Sequence, residues 1–277
     1  EILSRTVDLD LVYKIAEEGT VSDPTAGAAP GEKVKAGAEF FPCREVRIGV
    51  ARDRAFCFYY KENMELLEKM GCRLISFSPV SDSEFPKDLD GLILGGGYPE
   101  LYARQLSENR GMRDMIRDAV RSGMPCLAEC GGFMYLHDEM EDGEGNTYPM
   151  AGVIPGRTFP AGKLTRFGYI NITAGDGENP VPDRKDDRMK EQQEQNEWYL
   201  RPGETIRGHE FHYWDSTDSG QSCRAVKPDG RRGWECIHME GNLFAGYPHL
   251  YLPSLPAFAE RFVKRCAEWK NGSKGVM

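Results

Sequence analysis

Short apolar runs and longer amphipathic stretches alternate along the first half of the chain. The short runs are bounded by glycine or polar residues and predict buried strands at residues 46–51, 73–77, 91–94 and 125–128. Two amphipathic stretches, residues 60–70 and 112–122, are each followed by glycine and predict helices. Alternating strands and helices predict an α/β fold with a flavodoxin-like, mostly parallel sheet and helices on both faces.

The pattern changes after residue 145. Residues 168–173 and 208–213 alternate between apolar and polar positions, which predicts half-exposed strands and an antiparallel extension of the fold. Residues 175–203 between them are dominated by charged residues and glutamine, which predicts a polar, solvated insertion. A last helix is predicted over residues 254–269.

The first 45 residues differ from the rest. Residues 1–20 have the pattern of an amphipathic helix closed by Gly19, and residues 21–45 are rich in Gly, Ala, Pro and Lys without periodicity, as in a linker. A dense domain is then predicted over residues 46–272.

The composition argues against several classes of function. The formal net charge of −9 and the absence of a basic patch argue against a nucleic-acid partner. No apolar run approaches the ~20 residues needed to cross a bilayer, and the N-terminus has no apolar signal core. The 8 cysteines form no CxxC pair, so neither a disulfide framework nor a metal site is predicted. Together these features favour a cytoplasmic protein.

The candidate chemistry begins at Cys130. The segment around it reads as strand, tight turn and helix, with small residues two positions before (Ala128) and two positions after (Gly132). This is the pattern of a nucleophile elbow, in which a strained turn presents one side chain above the sheet edge. A cysteine at a helix N-terminus is expected to gain thiolate character, and the N–H of Gly131 is placed to donate to an oxyanion.

A second group of glycines, Gly95–Gly97, follows the predicted strand at residues 91–94. Glycines allow close backbone approach, so Gly96 and Gly97 are candidates for the second oxyanion donor. The residues alone leave a structural alternative open: a buried core cysteine beside a glycine-rich packing turn, and a flexible loop after a strand.

Several segments together resemble the glutaminase domain of the cobyrinate a,c-diamide synthase family. The resemblance covers about residues 45–270 and is carried, in order, by residues 58–63 (FYYKEN), 77–82 (FSPVSD), 94–100 (LGGGYPE), 128–136 (AECGGFMYL), 208–213 (GHEFHY) and 246–250 (GYPHL). It implies a class I glutamine amidotransferase fold with Cys130 as the nucleophile. Related cobyrate synthases and nickel-sirohydrochlorin a,c-diamide synthases resemble the chain less distinctly.

The resemblance also identifies a base among the five histidines. His249 lies at the position of the family's catalytic histidine, and His209 is the alternative. His209 and His212 are three apart on a predicted strand and would face opposite sides, which argues against a shared metal. His137 and His238 receive no role. Typical class I enzymes carry His-x-Glu, whereas this chain has Tyr251 in place of the Glu, so a Cys130–His249 dyad is expected and the group that orients His249 is open.

The implied reaction is hydrolysis of L-glutamine to supply ammonia for ATP-dependent amidation of the a and c carboxylates of a corrinoid. The chain contains no Gly-x-x-x-x-Gly-Lys-[Ser/Thr] segment. The resemblance therefore implies that ATP and Mg²⁺ bind a synthetase domain preceding this region, of which residues 1–20 would be the end; no cofactor is expected in this chain. The alternatives are amidation of another tetrapyrrole, a non-catalytic module with the same fold, and a cysteine hydrolase acting on peptides or small amides.

Overall fold

A six-stranded sheet is the centre of the fold. The computed structural model describes residues 45–164, 166–174 and 199–273, with the backbone alone from residue 270 onward. The strands lie in the order β3 (Cys72–Phe77), β1 (Val46–Ala51), β4 (Gly91–Leu94), β6 (Cys126–Glu129), β16 (Leu243–Gly246) and β15 (His238–Glu240). The first five are parallel and β15 is antiparallel to its neighbour. In chain order the parallel strands are arranged 2-1-3-4-5, which confirms the flavodoxin-like prediction.

The inner strands are buried because their sequences are almost continuously apolar. In β4 every residue is buried, and in β1 and β6 all but one are. Runs of this kind are typical of parallel strands covered on both faces. Two of the predicted strands, residues 46–51 and 91–94, have the predicted bounds, and the other two differ by one residue at their ends.

Helices cover the sheet and connect its strands. They are α1 (Lys61–Lys69), α2 (Ala103–Glu108), α3 (Arg110–Arg121), α4 (Gly131–Tyr135) and α5 (Pro256–Ser273), with short 3₁₀ turns at Pro99–Tyr102 and Leu252–Ser254. In α3 the buried residues Met112, Ile116 and Val120 are spaced by four and form one face. The helices predicted over residues 60–70, 112–122 and 254–269 are thus present as α1, α3 and α5. None of the described helices is long and apolar enough to cross a membrane.

The antiparallel extension is a second sheet of five strands. Its order is β14 (Gly233–Cys236), β13 (Cys223–Val226), β10 (Arg166–Ala174), β11 (Thr205–His212) and β17 (His249–Leu250). The pairing of β10 with β11 confirms that residues 168–173 and 208–213 belong to antiparallel strands. β17, which contains His249, pairs with β11 and so belongs to this sheet. In the chain it follows β16 of the main sheet.

Two smaller sheets complete the described part. One has four strands in the order β12 (Trp214–Ser216), β9 (Ile154–Pro160), β7 (His137–Glu141) and β8 (Thr147–Pro149), and the other pairs β2 (Phe56–Phe58) with β5 (Gly96–Gly97). The sequence did not predict them. The β2–β5 pair matters for function because it holds the glycine loop that follows β4.

Part of the predicted organisation falls outside the described residues: the helix over residues 1–20, the linker up to residue 44, and residues 175–198 of the polar insertion. The described end of the insertion is anchored in the core. Tyr199 and Leu200 are fully buried, and the Tyr199 hydroxyl donates to the Asn242 carbonyl at 2.9 Å. The Tyr199 ring packs against Phe258 and Phe262 of α5.

Candidate active site

Cys130 lies on the turn that joins β6 to α4. Its backbone has φ 47° and ψ −104°, a combination that residues with a side chain rarely adopt. The Cys130 N–H donates to the Gly246 carbonyl at 2.8 Å, and the Cys130 carbonyl accepts from the Met134 N–H at 2.9 Å. The strained turn expected from the sequence is therefore present and is held from both sides.

Close contact between β4 and α4 explains why residue 132, two positions after this cysteine, is glycine. A Cβ on Gly132 would lie 2.1 Å from the Leu94 carbonyl oxygen, so no larger residue fits. The N–H of Gly132 donates to the Gly95 carbonyl at 2.8 Å. The Cys130 turn and the glycine loop after β4 are thereby bonded to each other.

The thiol of Cys130 is neutral at pH 7. Its pKa is raised to about 12, first by burial and then by the nearby carboxylate of Glu100, with smaller contributions from Glu210 and Glu129. A hydrogen bond from the Gly131 N–H lowers the pKa without offsetting these effects. The prediction that Cys130 has thiolate character is therefore wrong, because desolvation outweighs the dipole of a helix only five residues long.

The predicted oxyanion glycines lie together. A Cβ on Gly131 would be 3.2 Å from the backbone nitrogen of Gly97, so the two backbones are adjacent. On the other side of the loop, a Cβ on Gly96 would be 2.2 Å from Cε1 of His249. The glycine loop thus lies between the Cys130 turn and the imidazole of His249.

His249 is buried, and its imidazole is neutral at pH 7. Its pKa is lowered to about 3, first by burial and then by the nearby His209 and His212. Nδ1 of His249 is buried without a hydrogen-bond partner. A neutral imidazole can accept the proton of a thiol, which is the role of a general base.

His209, the alternative base, packs on the ring of His249. The two residues are directly opposite in the β11–β17 pair, with ring centroids 4.6 Å apart and planes tilted by 16°. The Tyr60 hydroxyl and Nδ1 of His209 are 2.7 Å apart, and the Phe58 ring meets His249 edge-on at 4.7 Å. His209 therefore lies beside His249 and restricts its ring plane.

The FYYKEN segment at residues 58–63 holds the site from one side. The Tyr59 hydroxyl accepts from the Gly95 N–H at 3.0 Å and donates to the Ala51 carbonyl, which fixes the start of the glycine loop. The Asn63 side chain donates to the Leu250 carbonyl at 2.7 Å and accepts from the Leu252 N–H at 2.9 Å. Asn63 thus fixes β17, the strand of His249, a role that the sequence pattern did not predict for this segment.

His212 lies on the other face of β11. Its Nε2 is 3.3 Å from Oε2 of the buried Glu210, and its ring stacks on Tyr247 with centroids 3.8 Å apart. Trp234 Nε1 donates to the same carboxylate at 3.0 Å. His209 and His212 therefore face opposite sides, as their spacing predicts, and no group of three or more potential metal ligands occurs among the described residues.

The two remaining histidines have partners in other parts of the fold. Nε2 of His137 lies 2.7 Å from the Ser216 hydroxyl, and Nε2 of His238 lies 3.2 Å from the Asp218 carbonyl.

Glu129 is a site residue that sequence reasoning missed. Its Oε1 accepts from the Leu250 N–H at 3.1 Å, and its Oε2 lies 3.9 Å from Nδ1 of His249. Burial raises the pKa of the Glu129 carboxyl to about 8, although the bond from Leu250 lowers it. Position gave no signal, because neighbouring residues on a strand point to opposite faces and Glu129 directly precedes Cys130.

The doubly wound sheet with Cys130 on its strand-to-helix turn defines an α/β fold of the class I glutamine amidotransferase type. Solved structures support that class at the level of fold. PurLQS from Thermotoga maritima matches 82% of this chain with a TM-score of 0.50 and 16% identity, over 100% of its own chain. A second glutamine amidotransferase structure matches 79% of this chain and 98% of its own, with a TM-score of 0.50 and 17% identity.

A family model narrows the class. The model for the CobB/CobQ-like glutamine amidotransferase domain matches residues 47–256, and the chain belongs to that family. Proteins named cobyrinate a,c-diamide synthase are similar to it. The one from Caldanaerobacter subterraneus subsp. tengcongensis is 38% identical over 82% of this chain and 46% of its own length. The one from Fusobacterium nucleatum is 43% identical over 74% and 41%, and that from Priestia megaterium is 34% identical over 98% and 53%. The chain thus spans about half the length of these curated relatives.

Proposed function

We propose that this chain hydrolyses L-glutamine and supplies the ammonia for amidation of the a and c carboxylates of cobyrinate, as part of an ATP-dependent amidoligase. One observation carries the glutaminase half of the proposal: the strained Cys130 turn and the neutral His249 flank the same glycine loop. The corrinoid substrate and the use of ATP are supported by the names of relatives that are about twice as long. ATP and Mg²⁺ would bind the other half of such an enzyme, and the reduced cysteines favour the cytoplasm.

The first chemical step is attack on the glutamine side-chain amide. Sγ of Cys130 bonds to the carbonyl carbon while its proton moves to His249, and the N–H groups of Gly131, Gly96 and Gly97 hold the oxygen as it gains charge. Because the pKa of the Cys130 thiol lies about 12 and that of His249 about 3, proton transfer before attack is unfavourable. Transfer must therefore accompany formation of the C–S bond, when the oxyanion donors begin to contribute.

The second half releases the products. Protonated His249 gives its proton to the departing nitrogen, and ammonia leaves the tetrahedral intermediate as the thioester forms. Neutral His249 then takes a proton from water, whose oxygen attacks the thioester. Return of that proton to Sγ of Cys130 releases glutamate and restores the thiol.

Glutamate release from glutamine tests the proposal. The 277-residue chain is assayed alone and together with the N-terminal half of a cobyrinate a,c-diamide synthase relative. Cys130→Ala is expected to abolish release, and His249→Ala to lower it by about 10²–10⁴-fold. Cys57→Ala, which removes an exposed thiol, is the matched control and should behave like the unsubstituted chain.

The same assay separates the alternatives. Release that survives Cys130→Ala would contradict the assignment of the nucleophile. Absence of release with the supplied half would favour a non-catalytic module. Faster cleavage of small amides or peptides than of glutamine would favour a cysteine hydrolase.

A further inference from the structure

The catalytic histidine of this site lacks the carboxylate that a His-x-Glu sequence would provide, because residue 251 is tyrosine. Tyr251 instead packs its ring against Tyr60, with centroids 5.6 Å apart. A buried imidazole without an oriented partner would be free to exchange its tautomers, which weakens a general base. A group that replaces the missing carboxylate has to lie beside Nδ1 of His249.

Glu129 reaches that space from the end of β6. Oε1 accepts from the N–H of Leu250, the residue after His249, so the carboxylate is fixed to the histidine's own strand. Its second oxygen, Oε2, lies 3.9 Å from Nδ1 of His249. That separation is too long for a hydrogen bond and suits an ion pair that shortens once the imidazole is charged.

The remaining surroundings of His249 leave Glu129 as the acidic group at Nδ1. The ring faces are covered by the stacked His209 and the edge-on Phe58, and Gly96 packs at Cε1. The titratable groups that act on it are His209 and His212, both of which disfavour its charged form. A carboxylate at Nδ1 acts in the opposite direction.

We propose that Glu129, in its carboxylate form, is the positioning residue of His249: it holds the Nδ1–H tautomer, leaves Nε2 free to take the proton of Cys130, and stabilises the imidazolium that forms. The proposal rests on the glutaminase function proposed above. It replaces the expected dyad by a triad whose acid adjoins the nucleophile in sequence. Glu129 contacts no reacting atom and acts through His249.

The tautomer of His249 is the direct test, and it does not require catalysis. The chain has five histidines, so ¹⁵N-labelled imidazoles give a simple spectrum, in which His249→Ala identifies the signal. Above pH 8, where Glu129 is ionised, the unsubstituted chain is expected to show the Nδ1–H form. In Glu129→Gln the amide oxygen stays with the Leu250 N–H and the NH₂ group faces Nδ1, so the tautomer should reverse to Nε2–H. Glu129→Asp, which keeps the charge, should retain the Nδ1–H form.

A measurement on the unsubstituted chain covers the case in which Glu129→Gln does not fold. The pKa of Glu129 is about 8 and that of His249 about 3, so the imidazole itself does not titrate near pH 8. A change in the Nδ1 resonance of His249 with a midpoint near pH 8 would report ionisation of Glu129 beside it. A resonance that stays constant from pH 6 to pH 10, or a tautomer unchanged in Glu129→Gln, would overturn the proposal.

Kinetics separate this proposal from the function on which it rests. Above pH 8, where Glu129 is ionised, Glu129→Gln is expected to lower kcat for glutamine hydrolysis by about 10²-fold or more with KM changed less than threefold, because the substrate is not contacted. Glu129→Asp should recover part of the loss, and Glu139→Gln, at an exposed position on β7, should have no effect. If His249→Ala abolishes hydrolysis while Glu129→Gln leaves kcat unchanged, the positioning role fails and the glutaminase function stands. If neither substitution changes hydrolysis, the assignment of His249 as the base fails; if the unsubstituted chain releases no glutamate with the supplied half, the glutaminase function itself fails.

Discussion

Gly96 packs directly against the imidazole of His249, since a Cβ at this position would lie 2.2 Å from Cε1. The backbone of Gly96 does not require glycine for its φ angle, so the contact alone selects the residue. We therefore expect Gly96→Ala to leave the fold intact and to displace the imidazole. Glutamine hydrolysis should fall by about 10²-fold, because displacements of about 1 Å in a catalytic group have effects of that size.

Gly111→Ala is the matched control for that measurement. A Cβ on Gly111, in α3, meets no atom within 4 Å. This substitution should leave hydrolysis unchanged and raise the free energy of unfolding by about 0.5–1 kcal/mol, since alanine is the better helix former. Equal activity of the two variants would show that Gly96 does not control the position of His249.

The strained backbone of Cys130 predicts a difference between two variants that both lack the thiol. Cys130→Ala keeps a Cβ at φ 47°, whereas Cys130→Gly removes it. Glycine should therefore be the more stable of the two by about 1–2 kcal/mol, although glycine normally destabilises a folded chain. Urea unfolding of both variants measures the difference. A more stable alanine variant would mean that the turn carries no strain.

The effect of Glu100 on the pKa of Cys130 predicts how the reactivity of that thiol changes when Glu100 is replaced. Its carboxylate is the second largest cause, after burial, of the raised pKa of the Cys130 thiol. Glu100→Gln should lower that pKa, so the pH midpoint for alkylation of Cys130 by iodoacetamide should move down while remaining above the ordinary value for cysteine. The experiment is done with Cys57→Ser, because Cys57 is exposed. Glu108→Gln, an exposed charge on α2, should leave the midpoint in place.

The lowered pKa of His137 predicts that the free energy of unfolding depends on pH. Burial lowers its pKa to about 4, whereas in the unfolded chain it is about 6.5. Between these values the unfolded chain binds the proton and the folded chain does not, so the contribution of His137 to the free energy of unfolding falls as pH is lowered from 6.5 to 4. The slope is on the order of 1.4 kcal/mol per pH unit.

The comparison with His137→Gln isolates that contribution. Glu100 and Glu129 have raised pKa values and act in the opposite direction, destabilising the fold as pH rises through about 4.5 to 8. Both carboxyls are present in both chains, so their contribution cancels in the difference. The stability of the unsubstituted chain relative to His137→Gln should thus decrease steadily below pH 6.5. A difference that is constant with pH would contradict the buried neutral state of His137.

The sequence predicted the features that depend on neighbouring residues. The main strands and helices follow from local apolar runs, and the Cys130 turn follows from small residues within two positions. The four-stranded sheet was missed because its strands are short and irregular; β9 begins and ends close to prolines, which interrupt strand patterns.

Interactions between distant residues could not be predicted in the same way. Leu250 and Glu129 are 121 residues apart, and His209 and Tyr60 are 149 apart, so no spacing indicates that they meet. The prediction of the protonation state of Cys130 was wrong for the same reason. The local signal, a cysteine at a helix N-terminus, favours the thiolate, whereas burial and acidic groups from several elements decide the outcome.

The burial of Cys130 also bears on its durability. Peroxides oxidise the thiolate, and a thiol that stays protonated at pH 7 is converted to sulfenic acid only slowly. Among the described cysteines, Cys57 on β2 is the exposed one. The same desolvation that keeps the proposed nucleophile protonated thus also protects it from oxidants, and of these two cysteines Cys57 should be oxidised first.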